Sequence, residues 1–217
     1  TAQIADLGTA NLAALSTSVI PALTTAQVHA LTGDQIAALT TSQFVKLTST
    51  QIGAIDTAQI ASLTTSQAQA LTALQAGGLT SSQLANFELA DLAKLGTGVI
   101  AALGTAQVPG FTPDQVAALS TTQLGAMTAA QISKIGTSQI QALTTSQAAA
   151  LTSTQAAGLT TAQIAQLEAE DLANLSAGVV AALSTSQVRA LTALQVPELT
   201  TTQAGALTST QVAAFTT

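Results

Sequence analysis

The 217-residue chain has no cysteine, tryptophan or tyrosine, and only 6% of its residues are charged. Without cysteine there is neither a disulfide framework nor a thiolate for metal or nucleophilic chemistry. Four Lys and Arg against ten Asp and Glu leave a net charge of −6. That charge has the wrong sign, and too few cations, to engage a phosphate backbone, so it argues against a nucleic-acid partner. Aromatic residues make up 2%, which removes a stacking platform for bases. No apolar run approaches the roughly 18 residues of a membrane span, because Thr and Gln interrupt every one. The one histidine, His29, has no second His or Cys beside it and reads as a surface residue, not a ligand or general base.

What the chain does have is a repeat of eight residues, kept in phase from Leu7 to Ala214 as twenty-six octads. Residues 23–30 read LTTAQVHA, and the next octads read LTGDQIAA, LTTSQFVK and LTSTQIGA. A fixed short period is the mark of a repeat architecture and takes precedence over any other reading. Numbered from its leucine, the octad has Thr at 2, Gln at 5 and an aliphatic residue at 6. Thr at 2 with Gln at 5 is the capping-box spacing: the hydroxyl accepts the N3 amide, and the glutamine reaches back to the N-cap amide. Thr24 with Gln27 and Thr160 with Gln163 are such pairs. Positions 1 and 6 are then N′ and N4, which a hydrophobic staple joins. Leu23 with Val28, Leu31 with Ile36 and Leu159 with Ile164 fill both, and Leu143 fills position 1 of its own octad; these residues are the expected core.

Substitutions agree with a helix start in each octad. Position 2 is Thr, Ser, Gly or Asp except at Glu88 and Glu168. Pro113 stands at position 3, the N1 site that accepts proline. Eight of the ten acidic residues fall at positions 2, 4 or 5, and Lys46, Lys94, Lys134 and Arg189 fall at 7 or 8, the polarity a helix dipole favours. The helices must be short, because Pro21, Pro109 and Pro197 stand at position 7, where a continuing helix needs a donor. Gly77, Gly78, Gly110 and Gly158 in the same tail read as permissive exit residues. A single long helix fails as well: eight residues leave an 80° rotation per octad, so the leucines would spiral instead of forming a stripe. Helices of one turn are unstable alone. The expected fold is therefore an all-α solenoid of very short capped helices, one per octad, over residues 1–217 as a single array. A β-solenoid with glutamine ladders is the alternative, since Thr, Val and Ile favour strands.

A second period overlies the first. Six octads lack Gln at position 5 and form three pairs: Asn11 with Val19, Asp91 with Val99, and Asp171 with Val179. The pairs begin at 7, 87 and 167, giving a super-repeat of 80 residues. Duplication of an 80-residue block explains the spacing; the sharper reading is that these octads mark a structural event, such as a bend, a seam or a contact between coils. Gln in place of the commoner Glu fits close packing of equivalent octads, where stacked carboxylates would repel and an amide can both accept and donate. Thr1 and Phe215 stand in incomplete octads, which suggests a segment of a longer array.

Chemistry is hard to find. No base accompanies the abundant hydroxyls, so acyl transfer has no support and the chain reads as no enzyme, with no cofactor. Glu88 with Asp91, and Glu168 with Glu170 and Asp171, are the densest acidic groups; they read as first-turn residues before a calcium site. Gly96-Thr97-Gly98 follows no strand signal and is a weak phosphate candidate. A flat threonine face at position 3 is interrupted by Gly33, Ala73, Leu89, Pro113, Ala129, Ala169, Ala177 and Ala193.

The LTTxQ(I/V)xA octad resembles the tandem arrays of very large secreted or cell-surface proteins of Gram-negative bacteria. The resemblance covers the whole chain through one short motif. It implies an adhesin-like, extracellular or cell-surface protein, often exported by type I secretion. The glycine–aspartate calcium nonapeptides that such proteins often carry do not occur here. The expected role is structural, as a filament, stalk or surface-layer spacer whose partner is another copy, joined end to end or laterally. The alternative is a surface-binding module for glycan or ice through threonine-rich faces.

Overall fold

The computed structural model describes residues 2–215. Thr1, Thr216 and Thr217 lie outside the described residues, and with them part of the expectation about incomplete terminal octads. Among the described residues there are 24 α-helices and three 3-10 segments and no strand, so each octad contributes one short helical element. The helical reading holds over the β-solenoid.

The local cause is visible in the dihedral angles. In octad 39–46 the opening dyad is extended, with Leu39 at φ −60°, ψ 128° and Thr40 at φ −61°, ψ 155°. Thr40 then accepts from the Gln43 amide and Gln43 reaches back to the Thr40 amide, closing a capping box on the helix Thr41–Phe44. The same dyad and box recur at Thr24 with helix Thr25–His29 and at Thr160 with helix Thr161–Gln166. The extended dyad turns the chain before each new helix, so no helix exceeds six residues.

Proline changes the element without breaking the pattern. The three octads with proline at position 7 carry the 3-10 segments Ile20–Ala22, Val108–Gly110 and Val196–Glu198, whereas Pro113, at N1, begins the α-helix Pro113–Ala118. Pro21, Pro109 and Pro197 have no N–H to give an i−4 carbonyl, and the tighter turn leaves none wanting.

The chain forms two compact units, Thr1–Phe111 and Thr112–Thr217. Each is an α-solenoid. In the first, Thr25–His29 packs on Ser49–Ala54 and Ala73–Ala76 on Thr97–Ala102, three octads along. In the second, Thr145–Ala150 packs on Ala169–Asn174 and Ala177–Ala181 on Thr201–Ala206, at the same interval. Glutamine side chains meanwhile reach carbonyls 28 and 31 residues back, into the third and fourth preceding octads. A coil therefore closes after more than three octads and fewer than four, and each helix sits over a junction between two helices of the coil before it.

Positions 1 and 6 line the interior. Val28, Ile36 and Ile164 are 0% exposed, and Leu31, Leu143 and Leu159 are buried, whereas Leu23, in the first coil, is half-buried. The position-8 glycines do not act as left-handed exits, because no glycine has positive φ. At Gly78 a Cβ would overlap the Ser49 carbonyl; at Gly110 it would overlap that of Ser81. At Gly158 it would stand 2.7 Å from the Ala129 carbonyl oxygen. Absence of a side chain lets successive coils approach there.

Candidate functional site

The buried polar residues form one system. In every octad from Leu31 onward that carries it, Gln at position 5 is buried, from Gln35 to Gln211. A lone buried amide leaves donors and acceptor unmade and destabilises the fold, so its partners decide whether the array is stable. Gln163 shows how all are met. Its Oε1 accepts the Thr160 amide at 2.6 Å. Its Nε2 donates to the carbonyls of Ile132 at 2.8 Å and Ile135 at 2.7 Å. One side chain thus caps the start of its own helix and the carbonyls at the end of a helix one coil earlier.

The arrangement repeats throughout the first unit. Gln43 donates to Leu12 and Leu15, Gln51 to Ile20 and Leu23, and Gln75 to Phe44 and Leu47. In the second unit Gln147 donates to Val116 and Leu119, and Gln203 to Leu172 and Leu175. All these bonds point toward the N-terminus of the chain. The amides do not stack on one another, as equivalent positions in a stack would suggest. They meet backbone carbonyls, because the half-octad stagger puts a helix junction beneath each of them.

The octads without glutamine interrupt this ladder. Asp91, Val99, Asp171 and Val179 are buried, so position 5 of these octads lies in the interior. Val19 is 43% exposed and Asn11 is exposed. Glu88 and Glu168, at the N-caps of these octads, make no side-chain cap bond. Burial first, then the neighbouring Glu88, raises the Asp91 carboxyl above its ordinary range. Burial first, then Glu168 and Glu170, pushes Asp171 up to about 6. Oδ2 of Asp171 is buried with no hydrogen-bond partner.

Thr24 and Thr160 are exposed at their side chains but accept amides at 3.2 Å, so position-2 hydroxyls serve the fold. His29 is exposed, with Nδ1 3.2 Å from the Ala54 carbonyl. Among the described residues no group of three or more His, Cys, Asp or Glu could hold a metal ion. Gly96 caps a six-residue helix with open space around it, which is no phosphate cradle. No helix of the described residues is long and apolar enough to cross a membrane. What sequence reasoning missed is the carbonyl end of the glutamine bonds. Its signal was the near-invariance of an amide where a carboxylate would cap as well.

No curated protein matches this chain. A family model described as the ALTTAQ repeat matches it five times, over residues 4–41, 36–73, 84–121, 121–153 and 164–201. The matches starting at 4, 84 and 164 follow the 80-residue super-repeat. Together the five cover well over half of the sequence, and the chain belongs to the ALTTAQ repeat family.

Proposed function

We propose that the chain is a structural protein with no catalytic role, an extracellular or cell-surface spacer, stalk or filament segment whose copies associate end to end. The observation that carries this reading is the one-way glutamine ladder. Within each unit a coil donates amides to the coil before it and offers carbonyls to the coil after it. In the first coil, Gln27 caps its own helix, and its Nε2 donates to no other described residue. Among the described residues no glutamine donates to the Leu191 carbonyl, and Leu191 lines a cavity of about 420 Å³ with Val188, Val196, Pro197 and Phe215. A donor face and an acceptor face of the same octads complement each other. Two donor faces, or two acceptor faces, do not. Association between copies is therefore heterologous and open-ended, the geometry that builds filaments instead of closed dimers.

Electron microscopy and sedimentation over a concentration series test this. Polar filaments or a ladder of head-to-tail oligomers, lost in Leu191→Lys, are expected. Dispersed compact monomers at the highest concentrations would overturn it. The surface location rests on the resemblance of the octad to secreted arrays, and fractionation of producing cells checks it separately.

A further inference from the structure

Position 5 of octad 167–174 holds Asp171 where the ladder has an amide. In this unit Gln163 donates to the carbonyls 31 and 28 residues earlier, and so do Gln187 and Gln203. Carried over to residue 171, that register would set the side chain over Ile140 and Leu143, where helices Thr137–Gln141 and Thr145–Ala150 meet. Asp171 is 1% exposed, and its Oδ2 has no partner. An ionised carboxylate has no hydrogen to give, so here it would meet acceptors only. A protonated carboxyl has one.

The surroundings offer no countercharge. On its own helix, Ala169–Asn174, Asp171 shares the first turn with Glu170, and Glu168 is the N-cap. The helix packed against it, Thr145–Ala150, carries no charged residue, and the packed segment Val196–Glu198 brings Glu198. Every charged group in these elements is acidic, and Glu168 and Glu170 favour the protonated form of Asp171.

We propose that Asp171 is a proton-operated latch between coils. Holding a proton from solvent, its carboxyl donates into the preceding coil as a glutamine amide does; having lost it, the carboxylate repels that coil's carbonyls and the contact of Ala169–Asn174 with Thr145–Ala150 loosens. The folded-state value of about 6 lies above the ordinary 3.8. The stabilisation is therefore full below about pH 4 and is lost as pH rises through 6.

The test uses the full chain. Hydrogen exchange over residues 137–150 and 169–174, corrected for intrinsic rates, is compared at pH 4.5 and 7.5. The local opening equilibrium should rise by roughly tenfold to a hundredfold between them, as a shift of one to two pKa units requires. Asp171→Asn should remove that rise, and Asp171→Gln should remove it and add protection at pH 7.5. Carboxyl-carbon NMR of the unmodified chain reads the proton directly and needs no variant to fold. Titration of Asp171 near 4, or an Asp171→Asn variant that keeps the pH dependence, would overturn the latch. Neither outcome depends on whether copies associate.

Discussion

Gln163 donates its side-chain amide to the carbonyl of Ile135, 2.7 Å away and 28 residues earlier, while its oxygen holds the amide of Thr160. That single residue fastens a helix to its own cap and one coil to the next. The repeated form of this relationship explains how helices of four to six residues persist. Each is too short to be stable alone; its start is capped by its own glutamine, and the carbonyls at its end are met by a glutamine of the next coil.

Replacing that residue with its acid separates the two roles. Gln163→Glu keeps an acceptor for Thr160 and loses the donor to Ile132 and Ile135. A buried charge facing two carbonyls should cost about 3 kcal/mol at pH 7 and less at pH 4, where the carboxyl is protonated. Urea midpoints at both pH values give the comparison, and equal stability to the parent at pH 7 would contradict the ladder.

Two glycines should respond in opposite directions. Gly78→Ala places a methyl on the Ser49 carbonyl and should destabilise by about 1–3 kcal/mol, the usual range for overpacking. Gly125 ends the helix Thr121–Gly125 with nothing within 4 Å of an added Cβ. Gly125→Ala should therefore stabilise by about 0.5–1 kcal/mol through the unfolded chain. Thermal melts that rank the two variants the other way would show that the coils do not approach at Gly78.

Truncating the staple should be costly at position 6. Ile164 is 0% exposed, and Ile164→Ala should cost about 2–5 kcal/mol as a cavity. Leu143→Asp should cost several kcal/mol, because its charge would be buried without a partner (roughly 2–7 for a polar group alone). Circular dichroism and melting temperature unchanged by Leu143→Asp would remove position 1 from the core.

Proline sets the 3-10 segments. In the octad 39–46 the position-7 amide of Val45 donates to the Thr41 carbonyl at 3.1 Å. Pro109→Ala restores such a donor, so residues 105–110 should shift to α-helical carbon chemical shifts, with stability changed by no more than about 1 kcal/mol. Shifts that stay at their 3-10 values would assign the tight turn to packing instead.

Much of the fold was legible because each octad states its own local structure. Thr24, Gln27 and Val28 lie within one turn, so capping and staple follow from spacing alone, and the burial of Val28 and Ile164 follows with them. The glycine tail was misread, since close approach to a backbone 29 residues away leaves the same residue type as a left-handed exit. The setting of the valines at position 5 was not legible for a related reason. Whether Val99 and Val179 face solvent or another coil depends on how many octads make a coil.

The sequence by itself determined the short helices, their caps, their polarity and the eight- and 80-residue periods, all of which rest on contacts within a few residues. The tertiary structure alone decided that a coil holds between three and four octads. That number sets the half-octad stagger, puts a helix junction beneath each glutamine, and turns a capping residue into the tie between coils. It also leaves Asp171 buried with an unpartnered oxygen, a consequence of packing between coils that no local pattern encodes.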